Sequence, residues 1–211
     1  MSDALTGPAA VTVYGLDIET DTATDGLDPR VGRILCVGLS GPGGELVLAH
    51  HDERSLLLEL DTWLGDLTPG VLATWNGAAF DLPYLATRAA LLDVELGLDL
   101  RLDPAVALHH DPLPGHDGAY RAGWYGHTHL DAYRVFRPDV GRTFGLSCSL
   151  KSVAGLAGLH PVDADASRVH ELPRDSLYGY VASDARCTRE LVLRRWATAC
   201  GAIDQPEGAV A

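Results

Sequence analysis

Four carboxylates and a phenol stand in three short motifs: Asp17-Ile18-Glu19-Thr20, Asn76-Gly77-Ala78-Ala79-Phe80-Asp81 and Tyr180-Val181-Ala182-Ser183-Asp184. Convergent carboxylates of this kind can hold two divalent cations roughly 4 Å apart, one activating a water and the other stabilising the leaving oxygen of a phosphodiester. Asp17 and Glu19 are two residues apart on a predicted strand, so their side chains share one face. Asp81 opens a predicted helix, where a carboxylate is also favoured as a simple cap. Phe80 adds an aromatic surface on which a base or sugar can rest. Tyr180 and Asp184 are four apart on a predicted helix and therefore share a face, with the phenol close enough to hydrogen-bond a water held by the carboxylate. Each motif alone has a bland reading as a strand end, a helix cap or a core tyrosine. Their joint occurrence, in order and in suitable elements, favours a metal site.

The elements that must position these residues follow from periodicity. Val11–Ile18 reads as a central strand, Ile34–Leu39 and Glu45–Ala49 as two more joined by Gly41-Pro42-Gly43-Gly44, and these three as an antiparallel meander. Leu56, Leu57, Leu60 and Leu64 give Glu53–Leu64 a helical stripe with Asp52 as its N-cap. Val71–Trp75 is a short buried strand, Phe80–Leu92 a helix, Thr128–Tyr133 a strand and Ser149–Gly158 a helix. Ser176–Ala199 is a long final helix with Leu177, Tyr180, Val181, Cys187, Leu191 and Trp196 facing inward. Prolines and glycines break every period between Asp99 and Tyr125, which reads as an irregular excursion. The pattern is α/β: a mixed sheet, an antiparallel three-strand meander plus parallel strands, flanked by helices.

With 211 residues and 46% hydrophobic content, the chain is expected to form one domain over 10–203, with tails at 1–9 and 204–211. Neither a signal peptide nor a membrane span is expected, and Cys36, Cys148, Cys187 and Cys200 lack zinc-site spacing, so reduced thiols and a cytoplasmic location are expected. The formal net charge of −13 argues against a general nucleic-acid coating protein. It leaves room for a nuclease with a weak, salt-sensitive grip on its strand.

The three motifs resemble those of the DEDD 3'-5' exonucleases of the ribonuclease H-like superfamily, in the subgroup whose third motif is Tyr-x-x-x-Asp. They are similar above all to the exonuclease domain of family B DNA polymerases and to stand-alone exonucleases like it. The stretch Leu130-Asp131-Ala132-Tyr133-Arg134, followed by Ser149-Leu150-Lys151-Ser152-Val153-Ala154, also resembles that group. The likeness covers roughly Val11–Trp196. It implies a ribonuclease H-like fold and removal of nucleoside monophosphates from the 3' end of DNA or RNA, as a separate polypeptide. It also implies two divalent cations, Mg2+ or Mn2+: Asp17 bridging both, Glu19 and Asp184 on the water-activating one and Asp81 on the other. Tyr180 would orient the nucleophile, and Ile18, Thr20, Asn76 and Phe80 would contact the terminal nucleotide. Hard oxygen ligands agree with those metals. A replication or repair protein partner is a further expectation, and a membrane partner is not.

Two other readings compete. The acidic balance would also suit a catalytically weak nucleic-acid-binding or recruitment module of a repair assembly. His127-x-His129-x-Asp131 superficially matches a zinc hydrolase, although Ala132 stands where that pattern has another His. Asp131 is otherwise read as support for the exonuclease site or as a buried partner of Arg134. His109, His110 and His116 read as solvated loop residues. Arg121, Arg134, Arg137, Arg142 and Lys151, interleaved with Trp124, Tyr125, Tyr133, Phe136 and Phe144, form either a path for a single strand or a solvated face beside core aromatics. Lys151 has surface pairing with a carboxylate as its alternative.

Overall fold

The computed structural model of the chain describes residues 11–108 and 110–203. The expected tails and His109 lie outside the described residues. Strands β1 (Val13–Thr20), β2 (Ile34–Gly41) and β3 (Gly44–Leu48) form the antiparallel meander. Helix α1 (Glu53–Asp66) follows, capped as expected by Asp52, whose carboxylate accepts from the Ser55 amide at 3.0 Å. Strand β4 (Val71–Thr74) lies parallel to β1, and helix α2 (Asp81–Leu91) comes next.

The segment from Asp99 to Tyr125, expected to be irregular, contains two strands, β5 (Leu98–Leu102) and β6 (Tyr120–Trp124), paired antiparallel from Leu98↔Trp124 to Leu102↔Tyr120. Cross-strand pairing over five residues supplies the hydrogen bonds that the alternation in Leu98, Leu100 and Leu102 alone does not guarantee. The proline- and glycine-rich stretch between them is the connection. Strand β7 (His127–Asp131) pairs antiparallel with β6 and parallel with β4, completing a seven-stranded sheet of order β3-β2-β1-β4-β7-β6-β5. The first five strands in that order are the ribonuclease H-like arrangement.

Strand β7 stops sooner than expected because Asp131 caps a short helix, α3 (Ala132–Phe136), which runs into a π-helical stretch at Arg137–Thr143. Helix α4 (Leu150–Leu156) is capped by Ser149. A 3-10 turn at Ala166–Glu171 leads to α5 (Arg174–Arg194), and α6 (Trp196–Ile203) closes the described chain. The single long final helix expected from the sequence is thus two, broken at Arg195, whose amide still bonds back to Leu191 and Val192. No helix among the described residues is long and apolar enough to cross a membrane.

The two faces of the sheet carry separate cores. Tyr14, Leu16, Ile18 and Leu39 pack with the leucines of α1 and with Leu82 and Leu85 of α2. On the other face, Val13, Val71, Ala73 and Leu130 pack with α3, α4, α5 and α6. Two glycines on that second face let α5 approach closely. A Cβ at Gly15 would lie 2.1 Å from the Ala185 carbonyl oxygen, and one at Gly38 would lie 2.4 Å from that of Val181. Every other side chain would hold the helix off the sheet. The Arg189 guanidinium fixes the same helix by donating to the Val13 carbonyl at 2.8 Å.

Candidate active site

The parallel strands β1, β4 and β7 end side by side, and the three motifs gather at their carboxyl ends, where open α/β sheets place ligands. Asp17 and Glu19 project from β1 toward α5. The close seat of α5 on Gly15 and Gly38 brings Asp184 to them. Asp17, Glu19 and Asp184 each offer a ligand oxygen, all within 4.8 Å of one another. Asp81, 4% exposed at the first turn of α2, comes from the opposite face and raises the pKa of Asp17 by its charge. The sequence-predicted tetrad is therefore assembled, with three members in one cluster and Asp81 beside it.

The electrostatics describe a site with too much negative charge. Burial, and then the charges of Asp81, Glu19 and Asp184, push the Asp17 carboxyl well above the carboxylate range. Burial and Asp184 push Glu19 up to about 8. Burial pushes Asp81 up to about 7, while its own amide and that of Ile18 oppose the rise. Asp184 is raised by burial and held back by Lys151. Clustered carboxyls with raised affinity for protons have an equal appetite for other cations, and an all-oxygen donor set suits a hard divalent ion. The residues present fit such metals.

Tyr180 lies one turn before Asp184 on α5 and is 6% exposed. Burial, followed by the charges of Glu19, Asp184 and Asp17, raises its pKa, so the phenol stays protonated and can donate a hydrogen bond.

Lys151 has a larger part than its sequence neighbourhood suggested. From α4 its ammonium contacts the Asp184 carboxylate and lies 4.1 Å from the centroid of the Tyr180 ring. It belongs to the carboxylate cluster rather than to a strand path or an exposed pair. Its place in the helix expected at Ser149–Gly158 was visible in the sequence, but the packing of α4 on α5 was not.

The expected nucleotide contacts divide. Asn76 has φ 65, a turn conformation that asparagine tolerates, and with Phe80 it lines a cavity of about 640 Å3 whose walls include none of the four carboxylates. Tyr133, Arg134, Arg137 and Arg142 line the same cavity. The side chain of Ile18 instead sits in the α1/α2 core, because residues alternate along β1, leaving only its backbone for the site. Thr20 is 6% exposed, and its hydroxyl donates to the Gly26 carbonyl at 2.7 Å, holding the loop after β1. Of the basic residues, Arg121 and Arg134 both pair with Asp103, the charge of Arg134 also favours the ionised Asp131 carboxylate, and Arg137 stacks on Tyr133. Trp124 is a core residue, while Phe144 is exposed.

The His127, His129 and Asp131 set does not make a metal cluster among the described residues. The His127 ring is taken up by the Gly70 amide and the Leu64 carbonyl. His129 shares a 2.7 Å hydrogen bond with the Thr74 hydroxyl, and burial lowers its pKa to about 3. Asp131 accepts from the Asn76 and Tyr133 amides. The zinc-hydrolase reading is corrected accordingly. His116, also expected in solvent, bridges Thr87 and the Tyr120 hydroxyl. The four cysteines are free.

Comparison with known proteins agrees with this geometry. Residues 39–153, more than half of the chain and including Asp81 and Lys151, match the family described as DNA polymerase family B, exonuclease domain. The chain is 29% identical over 153 residues to the catalytic subunit of DNA polymerase epsilon from Eremothecium gossypii, a match over 70% of this chain and 6% of that protein. It is 29% identical over 111 residues to DNA polymerase 2 of Aeropyrum pernix, covering 51% of this chain and 13% of that one. It thus spans a small part of the relatives' length. The family B DNA polymerase of Pyrobaculum calidifontis shares the fold, with a TM-score of 0.69 at 23% identity over 90% of this chain and 25% of that structure. The chain belongs to the exonuclease-domain family of the family B DNA polymerases.

Proposed function

We propose that this chain is a metal-dependent 3'-5' exonuclease that hydrolyses the terminal phosphodiester of single-stranded DNA or RNA 3' ends and releases nucleoside 5'-monophosphates. The observation that carries this reading is the convergence of the Asp17, Glu19 and Asp184 oxygens within 4.8 Å of one another, close to the protonated Tyr180 phenol. Two divalent cations, Mg2+ or Mn2+, would supply activation of the attacking water and neutralisation of charge at the leaving 3' oxygen. Asp17 would be shared between them, Glu19 and Asp184 would complete the water side, and Asp81 would serve the leaving-group side.

The remaining work falls to the chain itself. Tyr180 would donate a hydrogen bond that orients the attacking water, the role its Tyr-x-x-x-Asp motif suggests. Asn76 and Phe80 would seat the terminal nucleotide, and the cavity they share with Tyr133 and Arg137 would take unpaired bases by stacking and phosphate contact. The relatives' names favour DNA, and a role beside a replication or repair protein is consistent with them.

The test is incubation of the purified chain with 5'-labelled single-stranded DNA and RNA, with either metal or with a chelator. Stepwise shortening with mononucleotide product is expected. Chelator or Asp17→Ala should abolish it. Binding without shortening under both metals would instead establish a recruitment module.

A further inference from the structure

Asp131 is a buried carboxylate outside the Asp17, Glu19 and Asp184 cluster, and its charge helps to raise the pKa of Asp81. It stands at the carboxyl end of β7, opposite Thr74 of β4, and is 6% exposed. One of its oxygens accepts from the Asn76 amide at 2.8 Å and from the Tyr133 amide at 3.1 Å. The Ala78 amide also stabilises its charge. A capping role at α3 needs only the Tyr133 contact. The contact to Asn76 belongs to a different element, the turn between β4 and α2, 55 residues away.

That turn carries the whole second motif. Asn76 adopts φ 65 there, a left-handed conformation that asparagine takes more readily than other residues with a side chain. Within the turn, the Ala79 and Phe80 amides bond back to the Asn76 carbonyl. The Asn76 amide itself has its partner on Asp131. Phe80 is aimed at the cavity by the same turn, and Asp81 follows in the next position. A carboxylate gathering several amides holds such a turn more firmly than neutral acceptors would.

We infer that Asp131 is a positioning residue for the second motif: its carboxylate fixes the Asn76–Phe80 turn, and through it the placement of Asn76, Phe80 and Asp81. This rests on the exonuclease reading for its consequence in catalysis, but not for the structural link. Outer-shell groups that orient ligands commonly govern metal affinity as strongly as this link would require.

The experiment compares Asp131→Ala and Asp131→Asn with Asp61→Asn in the full chain. Asp61 is a matched control: it also gathers several donors, from Gly97, Trp124 and Tyr125, at the opposite end of β7. Hydrogen exchange of the Asn76 and Ala78 amides and Mn2+ titration are read for each, alongside thermal unfolding. Asp131→Ala is expected to speed exchange in the turn by about tenfold and to weaken Mn2+ binding by about tenfold. Asp131→Asn, which keeps one acceptor oxygen, should show the same changes at smaller size, and it serves if the alanine variant does not fold. Asp61→Asn should lose thermal stability with neither change. Unchanged exchange and unchanged Mn2+ affinity in the folded Asp131 variant would overturn the inference, as would equal changes in the Asp61 control. On substrate, the Asp131 variants should show raised KM as well as lowered kcat, since both Asn76 and Asp81 are disturbed. A wild-type chain without nuclease activity would defeat the exonuclease reading and leave the exchange and Mn2+ results to decide this one.

Discussion

Lys151 on α4 contacts the Asp184 carboxylate on α5 and lies 4.1 Å from the centroid of the Tyr180 ring. Both partners are largely buried, with 25% of the lysine side chain and 9% of the aspartate side chain exposed. Its charge lowers the proton affinity of Asp17, Glu19 and Asp184 together. Removing it would leave the carboxylates to repel one another. Lys151→Met is therefore expected to destabilise the metal-free protein by about 1–3 kcal/mol at pH 8, less than a fully buried broken pair because a quarter of the lysine side chain is exposed. Magnesium should restore much of the loss. Thermal unfolding in chelator and in magnesium checks this, and an unchanged midpoint in chelator would count against it.

The raised carboxyl pKa values imply a pH dependence of stability with a definite sign. Glu19 at about 8 and Asp81 at about 7 bind protons more tightly in the folded chain than in the unfolded one, where ordinary carboxyl values near 4 apply. Between roughly pH 4 and pH 8 the folded state therefore holds the extra protons, and their contribution to stability is lost as pH rises. The metal-free protein should melt at lower temperature at pH 8 than at pH 6. Saturating magnesium should flatten that slope, because cations bind the deprotonated groups and release the protons. Melting curves at several pH values, with chelator or magnesium, decide it. A metal-free midpoint that rises with pH across this window would refute the assignment.

Much of the fold and the site was legible because the relevant spacings are local. Asp17 and Glu19 share a strand face by period two, Tyr180 and Asp184 share a helix face at i and i+4, and the leucines of α1 declare its buried stripe. The same period-two rule puts the Ile18 side chain on the face opposite Asp17 and Glu19, leaving its backbone for the nucleotide contact that the resemblance implies. What the sequence hid depends on tertiary packing. Lys151 reaches Asp184 only because α4 lies against α5, and Asp131 reaches Asn76 only because β7 is seated beside β4. The β5–β6 pairing was masked by the prolines and glycines of its long connection. The break at Arg195 has no Pro or Gly to announce it, and it divides a helix whose apolar pattern continues to Trp196 and Ala199.

The seating of α5 gives a third prediction, at residues that touch no ligand. A Cβ at Gly38 would meet the Val181 carbonyl oxygen at 2.4 Å, and relief requires α5 to move off the sheet that carries Asp17 and Glu19. Gly38→Ala should cost about 1–3 kcal/mol in stability through overpacking. It should also weaken Mn2+ binding, because Asp184 and Tyr180 travel with the helix. Gly43→Ala is the control, since nothing lies within 4 Å of a Cβ there. Chemical denaturation and Mn2+ titration of both variants test the coupling. A destabilised Gly38→Ala protein with full metal affinity would show that α5 does not shift as a unit.

Under the proposed function, Tyr180 would orient the attacking water without holding the metals. Its pKa is raised, chiefly by burial, so near neutral pH it acts as a donor and supplies no negative ligand. Tyr180→Phe keeps the ring that packs against Lys151 and removes only the hydroxyl. Metal affinity and the fold should therefore survive. The rate of phosphodiester hydrolysis should fall by about 10- to 100-fold, the size of one hydrogen bond to a charged transition state, with KM little changed. Single-turnover digestion of a 5'-labelled single strand, together with Mn2+ titration of the same variant, gives both quantities. Equal losses in affinity and rate would make Tyr180 a structural support of the carboxylates, whereas a full rate would leave Lys151 as the remaining donor beside Asp184.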